Sequence, residues 1–356
     1  MIPNRINSRQ ILLYSATAVL SVALAIFLFA IGEIIVRATL DIRFFGNSTN
    51  LLLSGAYGAR NGNTPNTQGV SFGETTFTDA YGFRIPHFRY IYPNTPRGSI
   101  LFIGDSVAFG PGVAETETFI GQLRKSLPDW AIYNSAVIGA DVQDYKAVAD
   151  ALVNRLSVLS QVYLVYCLND ISTASARLLL KGLKGQPTSS ANWVESVKKV
   201  GFISNANDFL RENSKLYIYL KTVISDPSRR YFLADWNEYR KAPALDGAVQ
   251  ALTEISLAFK DRGVPLTVIL APYEFQMRSG AEAYEDRLLP QRVLLNRLKS
   301  IGVHVVDGRE WFEKDDTPRS SSYFLYGDPM HFSPQGHQVF FHGIAQMLPS
   351  AVTQVK

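Results

Sequence analysis

Hydrophobic and polar positions follow three different patterns along the chain. Ile11 to Ile31 reads ILLYSATAVLSVALAIFLFAI, an apolar run without charge or proline. At 1.5 Å per residue it spans about 30 Å, the thickness of a bilayer core. The run continues into Gly32-Glu33-Ile34-Ile35-Val36-Arg37 with no small-x-small cleavage site after it, and Ala16-Thr17-Ala18 comes too early to serve as one. The pattern therefore predicts an uncleaved transmembrane anchor over residues 11–36, with residues 11–31 in the lipid, behind a short segment 1–10. Arg5 and Arg9 precede the run without an acid, whereas the far flank mixes Glu33, Arg37, Asp41 and Arg43. The positive-inside rule then places the N-terminus in the cytoplasm and the body on the periplasmic or extracellular side.

Periodicity is weak over residues 37–97. Gly, Asn, Thr and Ser dominate 44–80, which predicts a linker and an irregular segment lying over the body. From about Ile100 short apolar runs alternate with helical patterns. SILFIG ends at Gly104, AIYNSA covers 131–136, QVYLVYCL 161–168, PLTVILAP 265–272 and VHVVD 303–307. Runs of this length and composition read as buried strands. Between them, Phe119, Ile120, Leu123 and Leu127 share one helical face, and Val142, Tyr145, Ala149 and Leu152 share another, with Asp141 placed as N-cap. Strand–helix alternation predicts an α/β fold: a flavodoxin-like three-layer α/β/α sandwich with about five parallel strands in the order 2-1-3-4-5, over residues 98–350. The rhythm breaks at about 171–244, where helical patches such as Lys215–Val223 predict a mostly helical insertion on the ligand-binding side of the sheet.

Composition narrows the chemistry. The 356 residues hold a single cysteine, Cys167, so a disulfide within the chain and a multi-cysteine metal site are excluded. The five histidines, at 87, 304, 331, 337 and 342, form no HExxH pair. No metal and no cofactor is expected. A net charge of +4 over this length is too small to point to nucleic acid.

The first strand runs directly into Gly104-Asp105-Ser106-Val107. A serine just past a buried strand and at the start of a helix presents its hydroxyl at the ligand edge of the sheet. Near the C-terminus, Asp328-Pro329-Met330-His331 puts a carboxylate three residues before an imidazole on a turn. That spacing lets the carboxylate reach Nδ1–H and leaves Nε2 for a serine proton. Ser333 and Pro334 then open the closing helix, through about Leu348. Gly139, after the second strand, and Asn169, after the third, fit an oxyanion hole: a glycine allows close backbone approach, and an amide donates without charge.

These blocks resemble the SGNH hydrolase superfamily, also called GDSL esterases. The resemblance rests on Gly104-Asp105-Ser106, on Gly139, on Cys167-Leu168-Asn169-Asp170 and on Asp328-Pro329-Met330-His331, in the family's order, and covers residues 98–350. Cys167 stands where the third block of the family has glycine. Asp79-Ala80-Tyr81-Gly82-Phe83-Arg84 is similar to a segment of membrane-anchored bacterial members. The resemblance implies Ser106 as nucleophile, His331 as general base and acid, Asp328 as orienting carboxylate, and an oxyanion hole from Ser106, Gly139 and Asn169. The expected activity is hydrolysis of an acylated, in particular O-acetylated, envelope glycan or lipid. O-acyl transfer to a polysaccharide through the same residues, and a non-catalytic accessory subunit of a membrane complex, are the alternatives.

Overall fold

The structure is a computed structural model describing residues 8–156, 158–171, 207, 209–278, 280, 286–315 and 320–348. Helix α1 (Ser8–Thr39) contains the apolar run, and its side chains from Leu12 to Ile31 are exposed. By length and composition it is long and apolar enough to cross a membrane.

The body is built on five parallel strands: β6 (Gly98–Gly104), β7 (Trp130–Asn134), β8 (Gln161–Tyr166), β9 (Leu266–Leu270) and β10 (His304–Asp307). Their spatial order is β10-β9-β8-β6-β7, which is the predicted 2-1-3-4-5 arrangement. The strands read as apolar runs because both sheet faces are covered; every residue of β6, β8 and β9 is buried. On one face lie α3 (Phe119–Ser126) and the C-terminal helix Pro334–Met347, which pack on each other. On the other lie α4 (Val142–Leu152), Ala242–Lys260 and Leu289–Ser300. Helix starts follow the sequence closely. Thr118 caps α3, Asp141 and Asp144 form a capping box on α4, and Ser333 with Pro334 opens the last helix. The predicted helical faces are the buried ones: Phe119, Ile120 and Leu123 on α3, and Val142, Tyr145, Ala149 and Leu152 on α4.

Nearly half of the expected insertion, 172–206 and position 208, lies outside the described residues. The rest is helical, as α5 (Lys215–Ser225) and α6 (Pro227–Glu238). The helix that follows, Ala242–Lys260, starts inside the expected insertion but belongs to the covering layer of the sheet.

The 37–97 region departs from the expected linker. It carries a two-stranded sheet, β1 (Leu52–Ser54) with β2 (Asn61–Asn63), and a three-stranded antiparallel sheet, β3 (Gln68–Ser71), β4 (Glu74–Thr78) and β5 (Arg84–Ile85). Its inward positions are small or polar, as in Gly69, Ser71, Thr76 and Thr78, so the alternation carries no hydrophobic signal. This segment is fastened to the body. Asn63 Nδ2 donates to the carbonyls of Gly82 (3.0 Å) and Ala136 (2.9 Å). Arg60 pairs with Asp141 at 2.8 Å and Asp144 at 2.6 Å at the start of α4.

An aromatic cluster joins the sheet to its outer layer. Phe102 of β6 lies between Phe119 and Tyr163, and the Phe340 ring is 4.9 Å from both Phe119 and Trp311. Phe340→Ala should cost about 3–5 kcal/mol of stability. The measurement is the urea midpoint of the detergent-solubilised chain, expected to fall without a change in slope.

Candidate active site

Because the five strands are parallel, their carboxyl ends form one edge, and the loops that leave it converge. The Gly104 end of β6 leads to Asp105, whose extended backbone and side chain cap the one-turn helix α2 (Ser106–Phe109); Asp105 Oδ1 accepts from Val107 N at 2.9 Å. The cap fixes Ser106 at the first helical position, with its hydroxyl facing the C-terminal turn.

That turn is organised by Asp328. Its Oδ1 accepts the backbone N–H groups of Met330 (2.9 Å) and His331 (2.8 Å), and its Oδ2 is 2.7 Å from His331 Nδ1. His331 Nε2 is in turn 2.8 Å from Ser106 Oγ. Serine, histidine and aspartate thus form one hydrogen-bonded line, built from residues 225 positions apart in sequence. Burial alone would lower the His331 pKa, but the Asp328 carboxylate beside it outweighs burial and raises it above the usual histidine value. Asp105 is fully buried, and burial pushes its carboxyl up to about 6 in spite of the Val107 N–H. The Ser106 hydroxyl also lies 3.2 Å from Asp105 Oδ2, the longer of its two contacts.

The other expected positions follow β7 and β8 at the same edge. Gly139 has φ +77°, a conformation that requires glycine, and a Cβ there would meet nothing nearer than Asn61 Nδ2 at 3.9 Å. Asn169 is buried, and its Oδ1 has no hydrogen-bond partner among the described residues. Its turn is held from below by Asp170, which accepts Cys167 N at 2.7 Å and the Tyr145 hydroxyl at 2.5 Å. Burial, with Asp105 nearby, raises the Asp170 carboxyl well above the usual range. At Cys167 φ is not positive, so the backbone has no need of the family's glycine. The thiol is buried, and its Sγ lies 3.9 Å from the sulfur of Met330, inside the Asp328–His331 turn. The remaining histidines lie apart from this line: His337 packs on Phe119 and Phe332, His304 Nδ1 is 2.9 Å from Thr267 Oγ1, and His342 is on the last helix.

Two residues at the site come from the segment expected to be a linker. Phe72, at the tip of the β3–β4 hairpin, has φ +49°, and Gly73 beside it has φ +79°. Positive φ at both central residues makes the tight hairpin turn that matches strand twist. A bulky residue is strained there. The Phe72 ring meets His331 edge-on, with centroids 5.2 Å apart, and Phe45 packs on its other side. Nothing in the local sequence distinguishes Phe72 from an ordinary turn neighbour.

Arg84, the last residue of the Asp79–Arg84 segment, is fully buried. Its guanidinium donates to the carbonyl of Phe109 and to those of Gly110 (2.5 Å) and Val113 (2.6 Å), and its Cζ is 4.9 Å from the Phe109 ring. Burial, with Arg124 nearby, lowers its pKa to about 9. Asp79 shapes the turn that delivers Arg84, accepting Tyr81 N (2.8 Å) and Phe83 N (2.9 Å).

Among the described residues, no cluster of His, Cys, Asp and Glu side chains suited to a metal occurs. No family model matches the sequence, and no curated protein matches it either. Solved structures similar to the chain include TesA, at 12% identity, covering 71% of this chain and 98% of that one with a TM-score of 0.41. Another is a member of the lipolytic protein G-D-S-L family from Veillonella parvula, at 13% identity, covering 72% and 99% with a TM-score of 0.38. A third is a catalytic mutant of Axe2, an acetylxylan esterase from Geobacillus stearothermophilus, at 15% identity, covering 70% and 94% with a TM-score of 0.40.

Arg84→Met should leave three buried carbonyls without a donor. At about 1–3 kcal/mol each, the loss should be about 3 kcal/mol or more. Thermal melting is expected to show it as a large drop, with Arg84→Lys intermediate because one ammonium cannot span all three acceptors.

Proposed function

We propose that the protein is a serine esterase of the SGNH type, with an acyl-enzyme formed on Ser106. The observation that carries this reading is the line Asp328–His331–Ser106, at 2.7 and 2.8 Å, at the loop edge of a parallel sheet. His331 Nε2 takes the Ser106 proton as Oγ attacks the ester carbonyl. Asp328 holds the imidazole with Nδ1 protonated and stabilises the cation formed. The developing oxyanion is received by the N–H groups of Ser106 and Gly139 and by the Asn169 amide. The tetrahedral species collapses, His331 returns its proton to the leaving alcohol, and water activated by the same imidazole releases the acid. The Phe72 ring limits the rotation of His331 and shields it from bulk water.

In this reading α1 anchors the protein, with its N-terminus in the cytoplasm and the body outside. The substrate class is then an acylated, in particular O-acetylated, glycan or lipid of the envelope. The full chain, incubated with acetyl and longer-chain esters, tests it. Ser106→Ala and His331→Ala should each abolish turnover and labelling by a fluorophosphonate, and the double variant should be no worse than either alone. A wild-type chain that neither labels nor turns over any ester would defeat the proposal. Acetyl groups passing to an added sugar acceptor at the expense of free acetate would replace hydrolysis by transfer.

Asn169→Ala should lower kcat by about 10²–10³ with little change in KM, as measured on the best ester found.

The pH profile follows from the direction of the His331 shift. Neutral imidazole is the active form, so turnover should fall as pH drops, with a midpoint above the usual histidine value of about 6.5. Asp328→Asn removes the charge that raises this pKa. The acid limb should then move to lower pH while kcat falls by about 10³–10⁴. An unmoved limb would show that another group controls it.

A further inference from the structure

The apolar run of α1 ends at Ile31, and Glu33 follows within about 3 Å along the helix axis. A headgroup layer is about 5–7 Å deep on each side of the hydrocarbon, so Glu33 falls inside that layer when α1 spans. Its carboxylate does not simply face solvent. It accepts Ser214 Oγ at 2.8 Å, Lys215 N at 3.0 Å and Leu216 N at 2.9 Å, which are the free donors at the start of α5. Arg37, paired with Glu33, donates to the carbonyl of Asn213 at 2.9 Å. Leu216 lies against Gly32, where an added Cβ would come within 2.8 Å of Leu216 Cδ2. The N-terminus of α5 is therefore fixed to the anchor at the depth where lipid chains give way to headgroups.

The faces of α5 divide sharply. Ile218 is buried with Val36 and Ile42, and Tyr219 stacks on Tyr326. Leu216, Leu220, Val223 and Ile224 recur at helical spacing and form a separate stripe. Leu216, the first member, touches the anchor, while Leu220, Val223 and Ile224 are exposed, the last at 83%. Water is a poor neighbour for such a stripe, and the element that begins it already lies beside lipid.

We propose that α5 is a membrane-surface helix, with Glu33 fixing its start to the anchor and the Leu220–Val223–Ile224 stripe resting in the bilayer interface. The partner of this surface is lipid, on whichever side α1 emerges. The proposal rests on reading α1 as a membrane span. It deepens the proposed function, because α5 also supports the loop of the candidate site. Tyr219 stacks on Tyr326, and Thr222 packs so tightly on Gly327 that a Cβ there would be 2.4 Å from Thr222 Oγ1. Asp328 follows directly. The site is thereby held close to the bilayer surface, where acyl esters carried on lipid, or on glycans attached to lipid, are presented.

Site-specific quenching tests this in the full chain, in which the only native thiol, Cys167, is buried. Single cysteines replace Ile224, Val223, Ile34, Leu24 and Leu257, each carrying a polarity-sensitive fluorophore. The proteins are reconstituted in phosphatidylcholine vesicles containing lipid with a nitroxide high on the acyl chain. Leu257, exposed on Ala242–Lys260, is the water control, and Leu24 reports the span. Labels at Ile224 and Val223 should be quenched to within about twofold of Ile34 and be blue-shifted relative to Leu257. If Leu24 is quenched while Ile224 and Val223 behave like Leu257, this proposal falls and the anchor stands. If Leu24 is not quenched, the anchor reading falls and takes this proposal with it. Glu33→Ala should move the Ile224 label toward the Leu257 value while Leu24 holds; an unmoved signal overturns the role given to Glu33.

Discussion

A buried guanidinium organises the region around Ser106. Arg84 donates to three carbonyls at the end of α2 and in the turn that follows it, and among the described residues no carboxylate bonds it. Burying a cation is costly unless its donors are taken up; the three carbonyls take up Nη1 and Nη2, while Nε has no partner among the described residues. Arg124, a second buried cation, is paired with Glu115 and donates to the carbonyl of Arg84 at 2.9 Å. The field of Arg84 adds to burial in lowering His337 to about 3, so that this second imidazole beside the site stays neutral. The turn that fixes Ser106 thus depends on a residue from the N-terminal segment, outside the parallel sheet.

Phe72 belongs to the same segment. With Arg84 under the serine turn and Phe72 against the histidine, the small antiparallel sheets brace the first two members of the Ser106–His331–Asp328 line. The strained φ at Phe72 is compatible with a fixed hairpin, because Ser71 O accepts Gly112 N at 3.1 Å and Gly46 O accepts Phe72 N at 2.8 Å. The loops of the large sheet bring Ser106, Asp328 and His331 together, and residues of the smaller sheets pack against them.

How legible each part was in the sequence follows from what covers it. Strands β6, β8 and β9 are buried on both faces, so their residues form continuous apolar runs and the strand order could be read from the alternation with helices. Ser106, Gly139, Asn169, Asp328 and His331 were legible because each follows a strand end or precedes the last helix, where local chemistry is informative. The antiparallel sheets were not, since Ser71, Thr76 and Thr78 are buried through hydrogen bonds and close packing, without apolar side chains. Phe72 and Glu33 escaped for a different reason. Their partners are His331 and the start of α5, and a contact across 182 residues, as between Glu33 and Lys215, leaves no trace in local pattern. Cys167 read as a departure from the glycine of the block it resembles, yet the backbone at that position has no positive φ.

The distance in sequence between Ser106 and His331 has a consequence for biosynthesis. Chain growth at about 5–20 residues per second separates the appearance of the two by roughly 10–45 s. During that interval the residues of α1, of the antiparallel sheets and of the serine turn have been made, while the imidazole that hydrogen-bonds the Ser106 hydroxyl has not. The strand β10 and the last helix are also missing, so the sheet lacks its final edge and the Phe119 side its cover. Completion of the fold and assembly of the Ser106–His331–Asp328 line become one event, set by the emergence of the final turn.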